Sequence, residues 1–223
     1  MKKTTLLIAF LLINMLAYGQ NIGVRIGRNV SNYAFNKDSL STLGITNDNL
    51  KGLALSVPVG FNVSKYLTIQ TELGFLQKGF KSVQNIQKNG STVKSELKNY
   101  TNYAVLPVLI RFHTTGRLQL YANIGPDFTY AINSNSKGTI TNGNVSTDVD
   151  KSNSLDGTDR LTLGLQAGGG LKFKLGPIAL VLDTRFLTDL KDSQGTYNYQ
   201  GLKDQTYQTK NWVTSFGIVF GKN

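Results

Sequence analysis

The sequence predicts an all-β fold: an eight-stranded antiparallel up-and-down transmembrane β-barrel. Apolar residues alternate with small or polar ones through most of the chain, as in "GLALSVPVGFNVSKYLTIQTELGF" at 52–75. A period of two indicates strands, because successive side chains of a strand point to opposite faces. Short and long connections also take turns along the chain, which is typical of an up-and-down barrel that crosses a membrane. A chain of 223 residues fits one such domain.

Eight segments carry the alternation. In chain order they are 21–31, 52–63, 66–78, 102–112, 117–130, 160–175, 178–188 and 211–221. Their apolar positions are, segment by segment, Ile22, Val24 and Ile26; Leu53, Leu55, Val57, Val59 and Phe61; Leu67, Ile69, Leu73 and Phe75; Ala104, Leu106, Val108, Ile110 and Phe112; Leu118, Leu120, Ala122, Ile124, Phe128 and Tyr130; Leu161, Leu163, Leu165, Ala167, Leu171 and Phe173; Ile178, Leu180, Leu182 and Phe186; and Trp212, Phe216, Ile218 and Phe220.

The connections between these segments alternate in length. Short ones are predicted at 64–65, 113–116 and 176–177, and long polar ones at about 32–51, 79–101, 131–159 and 189–210. In a membrane barrel the short turns face the periplasm and the long connections form external loops. The sequence therefore predicts four long extracellular loops, with both chain ends on the periplasmic side because the strand number is even.

The amino-terminal segment has the features of a secretory signal peptide. Two lysines precede a short apolar run, and small residues flank a cleavage position after Gly19. We therefore expect residues 1–19 to be removed and residues 20–223 to form the barrel domain. The apolar run is too short to span a bilayer as a helix. The chain has no cysteine, which excludes a disulfide scaffold and a lipidated cysteine anchor.

The two faces of the predicted strands differ in side-chain size. Small residues dominate the face opposite the apolar one; they are Gly23, Gly27, Ala54, Ser56, Gly60, Gly74, Gly125, Gly164, Gly168, Gly170, Ser215 and Gly217. Small residues suit the crowded interior of an eight-stranded barrel. The apolar face is therefore expected to meet lipid, whereas a soluble secreted barrel with an apolar calyx is the alternative.

Aromatic residues on the apolar face fall into two groups. One group lies next to long connections and the other next to short turns or the carboxyl terminus, which predicts two aromatic girdles at the two headgroup levels. The first girdle comprises Phe75, Phe128, Tyr130, Phe186 and Trp212, and the second comprises Phe61, Phe112, Phe173 and Phe220.

Charged residues on the small face must lie in the lumen, where charges need partners. The sequence predicts a lumen ion-pair cluster made of Arg25, Glu72, Arg111, Asp127, Lys172, Asp183 and Arg185. Such a cluster could be purely structural, by excluding water and fixing strand register, or it could form a gated polar path. An eight-stranded lumen leaves little room for an open channel, which favours the structural role.

Catalytic chemistry has little support in the sequence. The only histidine, His113, lies in a predicted short turn, and there is no cysteine. A nucleophile–histidine site or a typical zinc site is therefore not expected. The glycine run at 168–170 lacks the lysine and hydroxyl residue of a phosphate loop. We expect no enzyme activity, no metal and no cofactor.

Several strands resemble the outer-membrane β-barrel family of OmpX- and OmpA-like barrels, whose members are often labelled porin-family or PorT-family proteins. The matching stretches are "GVRIGRNVSN" at 23–32, "LTIQTELGFLQKGF" at 67–80, "NYAVLPVLIRF" at 102–112, "YANIGPDFTY" at 121–130, "LVLDTRFLTDL" at 180–190 and the closing "SFGIVFG" at 215–221. The resemblance implies an outer-membrane location in a Gram-negative cell envelope. It also implies that the insertion machinery reads the last strand during assembly.

Two functions remain open from the sequence. The first is a non-enzymatic barrel that acts through its external loops in surface binding, adhesion or envelope integrity. The second is a narrow pore or an accessory component of a transport or secretion apparatus. The net charge of +11 favours contact with anionic lipid and lipopolysaccharide. No basic–aromatic motif supports nucleic-acid binding, and the loops do not identify an extracellular ligand.

Overall fold

The computed structural model describes residues 21–35, 45–88, 91–155, 159–190, 193–195 and 205–221. The regular elements in these ranges are ten β-strands: β1 (Asn21–Phe35), β2 (Ile45–Asn62), β3 (Leu67–Lys88), β4 (Ser91–His113), β5 (Leu118–Asn142), β6 (Val145–Asn153), β7 (Leu161–Leu175), β8 (Ile178–Asp189), β9 (Ser193–Gly195) and β10 (Gln205–Gly221). The signal peptide predicted at 1–19 lies outside the described residues and stays a prediction.

Eight of the strands form a closed antiparallel ring. Neighbours pair in the order β1-β2-β3-β4-β5-β7-β8-β10, and β10 pairs back with β1 from Asn21 opposite Gly221 to Phe35 opposite Tyr207. The remaining two strands lie off this ring, β6 beside β5 and β9 beside β10. The predicted eight-stranded up-and-down architecture is confirmed. Closure satisfies the hydrogen bonds of both edges, which an open sheet would leave exposed.

Tight turns join the strands at one end of the ring, which we call the turn end. They comprise residues 63–66, 114–117 and 176–177. Gly116 and Gly176 have φ angles of 107° and 68°, in the left-handed region that a side chain disfavours. Both chain ends of the ring, Asn21 and Gly221, lie opposite each other at this same end. The other end is called the hairpin end below.

Three strands extend much further towards the hairpin end than the sequence predicts. β3 reaches Lys88, β4 begins at Ser91 and β5 continues to Asn142, where it turns back into β6. The long loops predicted at 79–101 and 131–159 were therefore largely wrong. Loops were predicted there because these segments are polar. A strand that extends beyond the lipid needs no apolar face, so its sequence lacks the alternation by which strands were recognised.

The two faces of the ring have opposite chemistry. Outward residues such as Leu120, Ile110 and Ile218 are large, apolar and exposed, while the inward residues between them are buried and mainly polar or small. This orientation agrees with the predicted assignment of faces. None of the described residues belongs to a helix with the length and apolar character needed to cross a bilayer.

Apolar packing occurs inside the ring on the side of the hairpin end. Leu76, Tyr103 and Leu187 form its centre, and Ala54, Val105 and Ala131 complete it. Closer to the hairpin end, the rings of Tyr33 and Phe80 lie 5.3 Å apart. An apolar layer therefore lies beside the polar and charged side chains that fill the rest of the interior.

Candidate functional site

Four charged side chains meet across the middle of the lumen, and we call them the central cluster: Arg25, Glu72, Asp183 and Arg185. Glu72 Oε1 lies 3.0 Å from Arg25 Nη1 and 2.6 Å from Arg185 Nη2. Asp183 Oδ1 lies 2.6 Å from Arg185 Nε and 3.7 Å from Arg25 Nη1. All four side chains are at most 5% exposed. The cluster joins β1, β3 and β8, so it connects distant walls of the ring.

Small residues beside the central cluster give its long side chains room. Arg25 pairs with Gly217 on one side and Ser56 on the other. A Cβ atom on Gly217 would lie 2.5 Å from Cγ of Arg25, which is closer than van der Waals contact allows. Asp183 likewise pairs with Gly170 and Ser215. The alternation of small and large residues around the ring is therefore what allows the guanidinium groups to reach the carboxylates.

Tyr121 extends the central cluster towards the turn end. Its hydroxyl donates to Asp183 Oδ2 over 2.6 Å, and the guanidinium of Arg111 stacks on its ring at 4.1 Å. Arg111 Nη2 lies 4.0 Å from Asp183 Oδ2, beyond hydrogen-bond distance. The sequence pattern placed Tyr121 on the inward face with Gln119 and Asn123, but Tyr121 was not among the predicted members of the ion-pair cluster.

A second buried ion pair lies closer to the hairpin end. Lys78 Nζ is 3.4 Å from Asp189 Oδ1 and 3.4 Å from Thr209 Oγ1, and it lies 5.1 Å from the ring centre of Tyr103. The backbone N–H of Thr209 donates to Asp189 Oδ2 over 3.0 Å. The sequence analysis did not predict this pair. The predicted segments 66–78 and 178–188 ended at Lys78 and just before Asp189, so the two residues were not assigned to a shared part of the lumen.

Two predicted members of the ion-pair cluster lie away from it. Asp127 is buried, but it shares its level with Gly164 and Asp189 rather than with Asp183. Lys172 lies nearer the turn end, where its Nζ donates to Asn21 Oδ1 over 3.3 Å. Within the described ranges neither side chain has an oppositely charged group within 4.0 Å. The cause is strand register, which parity alone does not predict.

All nine predicted girdle residues occupy outward positions. Phe112, Phe128, Tyr130, Phe173, Trp212 and Phe220 are exposed, whereas Phe61, Phe75 and Phe186 are half-buried against neighbouring side chains. Phe186 and Trp212 are cross-strand partners with ring centres 5.5 Å apart. Four of the nine lie close to the turn end and five lie further up the ring, so the aromatic residues form two levels.

An outward row of amides ends the apolar surface on β3, β4 and β5. We call Gln77, Asn102 and Asn133 the amide row. Gln77 Nε2 donates to Asn102 Oδ1 over 3.1 Å, and Asn102 Nδ2 donates to Asn133 Oδ1 over 2.8 Å. Immediately below it are Phe75, Ala104 and Ile132, and above it most outward residues are polar, with Val83 as an exception.

Four residues beyond the amide row, three outward lysines stand side by side. Lys81 pairs with Lys98, and Lys98 pairs with Lys137; we call these residues the lysine row. Lys81 Nζ lies 2.5 Å from Glu96 Oε1, and Lys137 Nζ lies 2.9 Å from Asp150 Oδ2. The hydrogen bond from Lys81 lowers the pKa of the Glu96 carboxyl. Lys98 has no ion pair in the described part of the chain.

His113 ends β4 at the turn end. Its Nδ1 lies 3.1 Å from the carbonyl oxygen of Thr114, and its Nε2 lies 3.1 Å from Thr68 Oγ1. These contacts hold the imidazole beside a turn. No group of three or more histidine, aspartate or glutamate side chains arranged for a metal ion occurs among the residues that the structure describes.

Comparisons with known proteins agree with this architecture. Residues 18–195 match the family described as "Outer membrane protein beta-barrel domain". The solved structure of OprG from Pseudomonas aeruginosa is similar with a TM-score of 0.50 and 12% identity, over 91% of this chain and 96% of that one. Ail, the attachment invasion locus protein of Yersinia pestis, has 15% identity and a TM-score of 0.43 over 91% and 99% of the two chains. These likenesses concern the fold alone. No curated protein matches the sequence.

Proposed function

Since the chain belongs to the outer membrane protein β-barrel domain family and is an outer-membrane protein, we propose that it is a non-enzymatic barrel that strengthens the cell envelope. In this proposal the lysine row binds the phosphate groups of lipopolysaccharide in the outer leaflet. The turn end faces the periplasm, and the barrel-insertion machinery places the chain in the membrane. The two aromatic levels then lie at the two headgroup regions.

The proposal rests on the distance between the lysine row and the end of the apolar outward surface. The apolar outward surface ends at the amide row, and the lysines lie four residues further along the same strands. At about 3.3 Å per residue this is roughly 13 Å along the strand, a distance that suits charged headgroups above a hydrocarbon layer. Lysines at that height contact phosphates without entering the apolar region.

The arrangement of charges also favours an anionic ligand. Like charges directly opposite each other on neighbouring strands are destabilising, yet Lys81, Lys98 and Lys137 lie opposite one another across three strands. Glu96 and Asp150 each neutralise one lysine, which leaves a net positive charge on the row. A polyanion that bridges the three strands would relieve the repulsion.

A charge-removal experiment tests this function. The triple variant Lys81→Gln/Lys98→Gln/Lys137→Gln should bind purified lipopolysaccharide roughly a hundredfold more weakly than the wild type. This estimate takes about 1 kcal/mol for each lysine near an anionic surface. Binding is measured with the folded full-length barrel in a neutral detergent, at several salt concentrations and with dephosphorylated lipopolysaccharide in parallel.

The matched control removes the same charge elsewhere. Lys51, Lys151 and Lys210 are exposed and each pairs across the strands with uncharged residues. Their triple glutamine variant removes the same net charge without breaking up a row of adjacent cations, and it should bind at least about tenfold more tightly than the lysine-row variant. Equal affinity of both triple variants, or undiminished binding of dephosphorylated lipopolysaccharide by the wild type, would refute the proposal.

The alternative of an open pore finds less support in the lumen. The central cluster bonds across the barrel, and the apolar packing of Leu76, Tyr103 and Leu187 lies above it. The carboxylates of Glu72, Asp183 and Asp189 are engaged by arginine or lysine, which leaves these three groups unsuited to acid–base chemistry. Surface adhesion remains compatible with the proposal, because the same lysine row would accept other polyanions.

A further inference from the structure

A cavity lies inside the barrel at the turn end, separate from the lysine row. Its volume is about 270 Å³. Its walls come from inward residues of several strands, including Gln70, Gln119 and Tyr121, and its rim includes residues of all three tight turns. A cavity of this size is large enough to hold a small molecule with its hydration water.

The lining of this cavity is strongly cationic. Arg111, Lys172, Lys174 and Lys65 line it together with His113, and no aspartate or glutamate is among its described lining residues. The Nζ atom of Lys172 has an amide oxygen of Asn21 as its partner. Lys174 has no carboxylate within 4.0 Å in the part of the chain described. Positive charge is therefore concentrated in a recess that is partly screened from water.

Arg111 is the most informative residue of the cavity. It is only 7% exposed, and its Nε and Nη2 atoms are buried without a hydrogen-bond acceptor among the described residues. The nearest carboxylate, Asp183, lies 4.0 Å away and already contacts Arg185 and Arg25. Three guanidinium groups thus share the two carboxylates of the central cluster. A buried cation without a full partner is costly, unless another anion compensates it.

We propose that this cavity is a binding site for a phosphate-type oxyanion, which enters from the turn end. The guanidinium of Arg111 lines the inner end of the site and supplies a fixed positive charge to the phosphate. Lys172 and Lys174 supply point charges from the wall. Polar groups such as the amide of Gln119 surround the remaining volume.

Two sources could supply this chemistry, a free phosphate or the phosphate of a lipid headgroup. The experiment uses the full-length folded barrel in dodecyl maltoside, which carries no phosphate. Arginine side-chain N–H signals are followed by NMR while inorganic phosphate replaces chloride at constant ionic strength. A second series adds short-chain phosphatidic acid to the same micelles.

We expect the Nε–H signal of Arg111 to shift and saturate with at least one of the two probes. Saturation with inorganic phosphate identifies a free anion, and saturation with phosphatidic acid alone identifies a headgroup; either result supports the site. Arg111→Gln, followed through the side-chain amide signal of Gln119 in the same cavity, should bind roughly ten- to a hundredfold more weakly, since hydrogen bonds to charged groups are the strong ones. Lys172→Gln, which is less buried, provides a second test if Arg111→Gln fails to fold.

Arg117→Gln is the matched control. Arg117 is an exposed turn residue at the same end of the barrel, where it stacks on Phe173 at 5.3 Å, and it does not line the cavity. This variant should bind like the wild type. The proposal is overturned if neither probe gives a saturable shift of Arg111, or if Arg117→Gln weakens binding as much as Lys172→Gln does.

Discussion

Glu72 is the residue on which the central cluster depends most directly. One of its oxygens accepts hydrogen bonds from both Arg25 and Arg185, and the amide of Gln70 donates to the same oxygen. The three donors come from different positions around the ring or along it, so a single carboxylate holds several inward side chains in place. Removing its charge would leave two buried guanidinium groups with Asp183 as their remaining anionic partner.

We therefore expect Glu72→Gln to destabilise the folded barrel by about 3–5 kcal/mol, the cost typical of breaking a buried ion pair. The free energy of unfolding is measured by urea titration from lipid vesicles, with the fluorescence of Trp212, the only tryptophan, as the signal. Glu96→Gln removes a carboxylate from the exposed pair with Lys81 and should leave the unfolding midpoint unchanged. Equal midpoints for wild type and Glu72→Gln would contradict the assigned role.

For individual residues, the alternation of apolar and polar positions was enough to identify the charged residues that face the lumen. The period-two pattern placed Arg25, Glu72, Asp183 and Arg185 on one face, and the structure places them within 4.0 Å of their partners. Parity does not give height, because height depends on strand register. This is why Asp127 and Lys172 were grouped with residues from which the register separates them.

Among the elements, β3, β4 and β5 differ most from the sequence-based expectation. Their apolar alternation ends near Phe75, Ala104 and Ile132, and the predicted strand ends followed it. The backbone pairing continues beyond these points to Lys88 opposite Ser91 and to Val93 opposite Asn142. Alternation of apolar residues identifies the part of a strand that contacts lipid. It does not identify the continuation of the same strand in water, where the outward residues are polar.

If the hydrocarbon layer ends at the amide row, a charged substitution on the outward face should be costly below the row and nearly neutral at it. Ile124 lies midway along the apolar part of β5, opposite Ile110 and Ala167. Ile124→Arg should destabilise the barrel by about 2–4 kcal/mol in lipid vesicles, whereas Asn133→Arg in the amide row should cost about 0–1 kcal/mol. Unfolding titrations of the two variants measure the difference. Similar costs at both positions would mean that the hydrocarbon boundary does not lie at the amide row.

For the molecule as a whole, ring closure and the filled lumen are linked. Fifteen residue pairs join β1 to β10, from Asn21 opposite Gly221 to Phe35 opposite Tyr207. The small residues predicted for the interior allow long side chains to cross the ring at mid-height. The overall architecture was predictable because closure follows from strand number and alternating connections. The extra ion pair of Lys78 and Asp189 was not, since it lies at the level where the apolar pattern ends.

Because the lumen is filled, we expect the barrel to conduct no ions. In planar bilayers the wild-type barrel should show no steady single-channel conductance, because the central cluster and the apolar layer of Leu76, Tyr103 and Leu187 block the path for ions. A boiled preparation serves as the control for leakage caused by detergent. Uniform, long-lived conductance steps that change in size in an Arg185→Gln variant would show that ions pass the cluster, and would favour the transport reading.

The continuation of β3 and β4 past the amide row has a mechanical consequence. Lys88 stands eleven residues beyond Gln77 on the same paired strand, which corresponds to roughly 36 Å of extended backbone. The continuous backbone hydrogen bonds between β3 and β4 make this segment a rigid extended hairpin and not a flexible loop. Substitutions of outward residues in this segment should therefore leave the closed ring unchanged, because they lie beyond the last residue at which β3 contributes to the apolar surface.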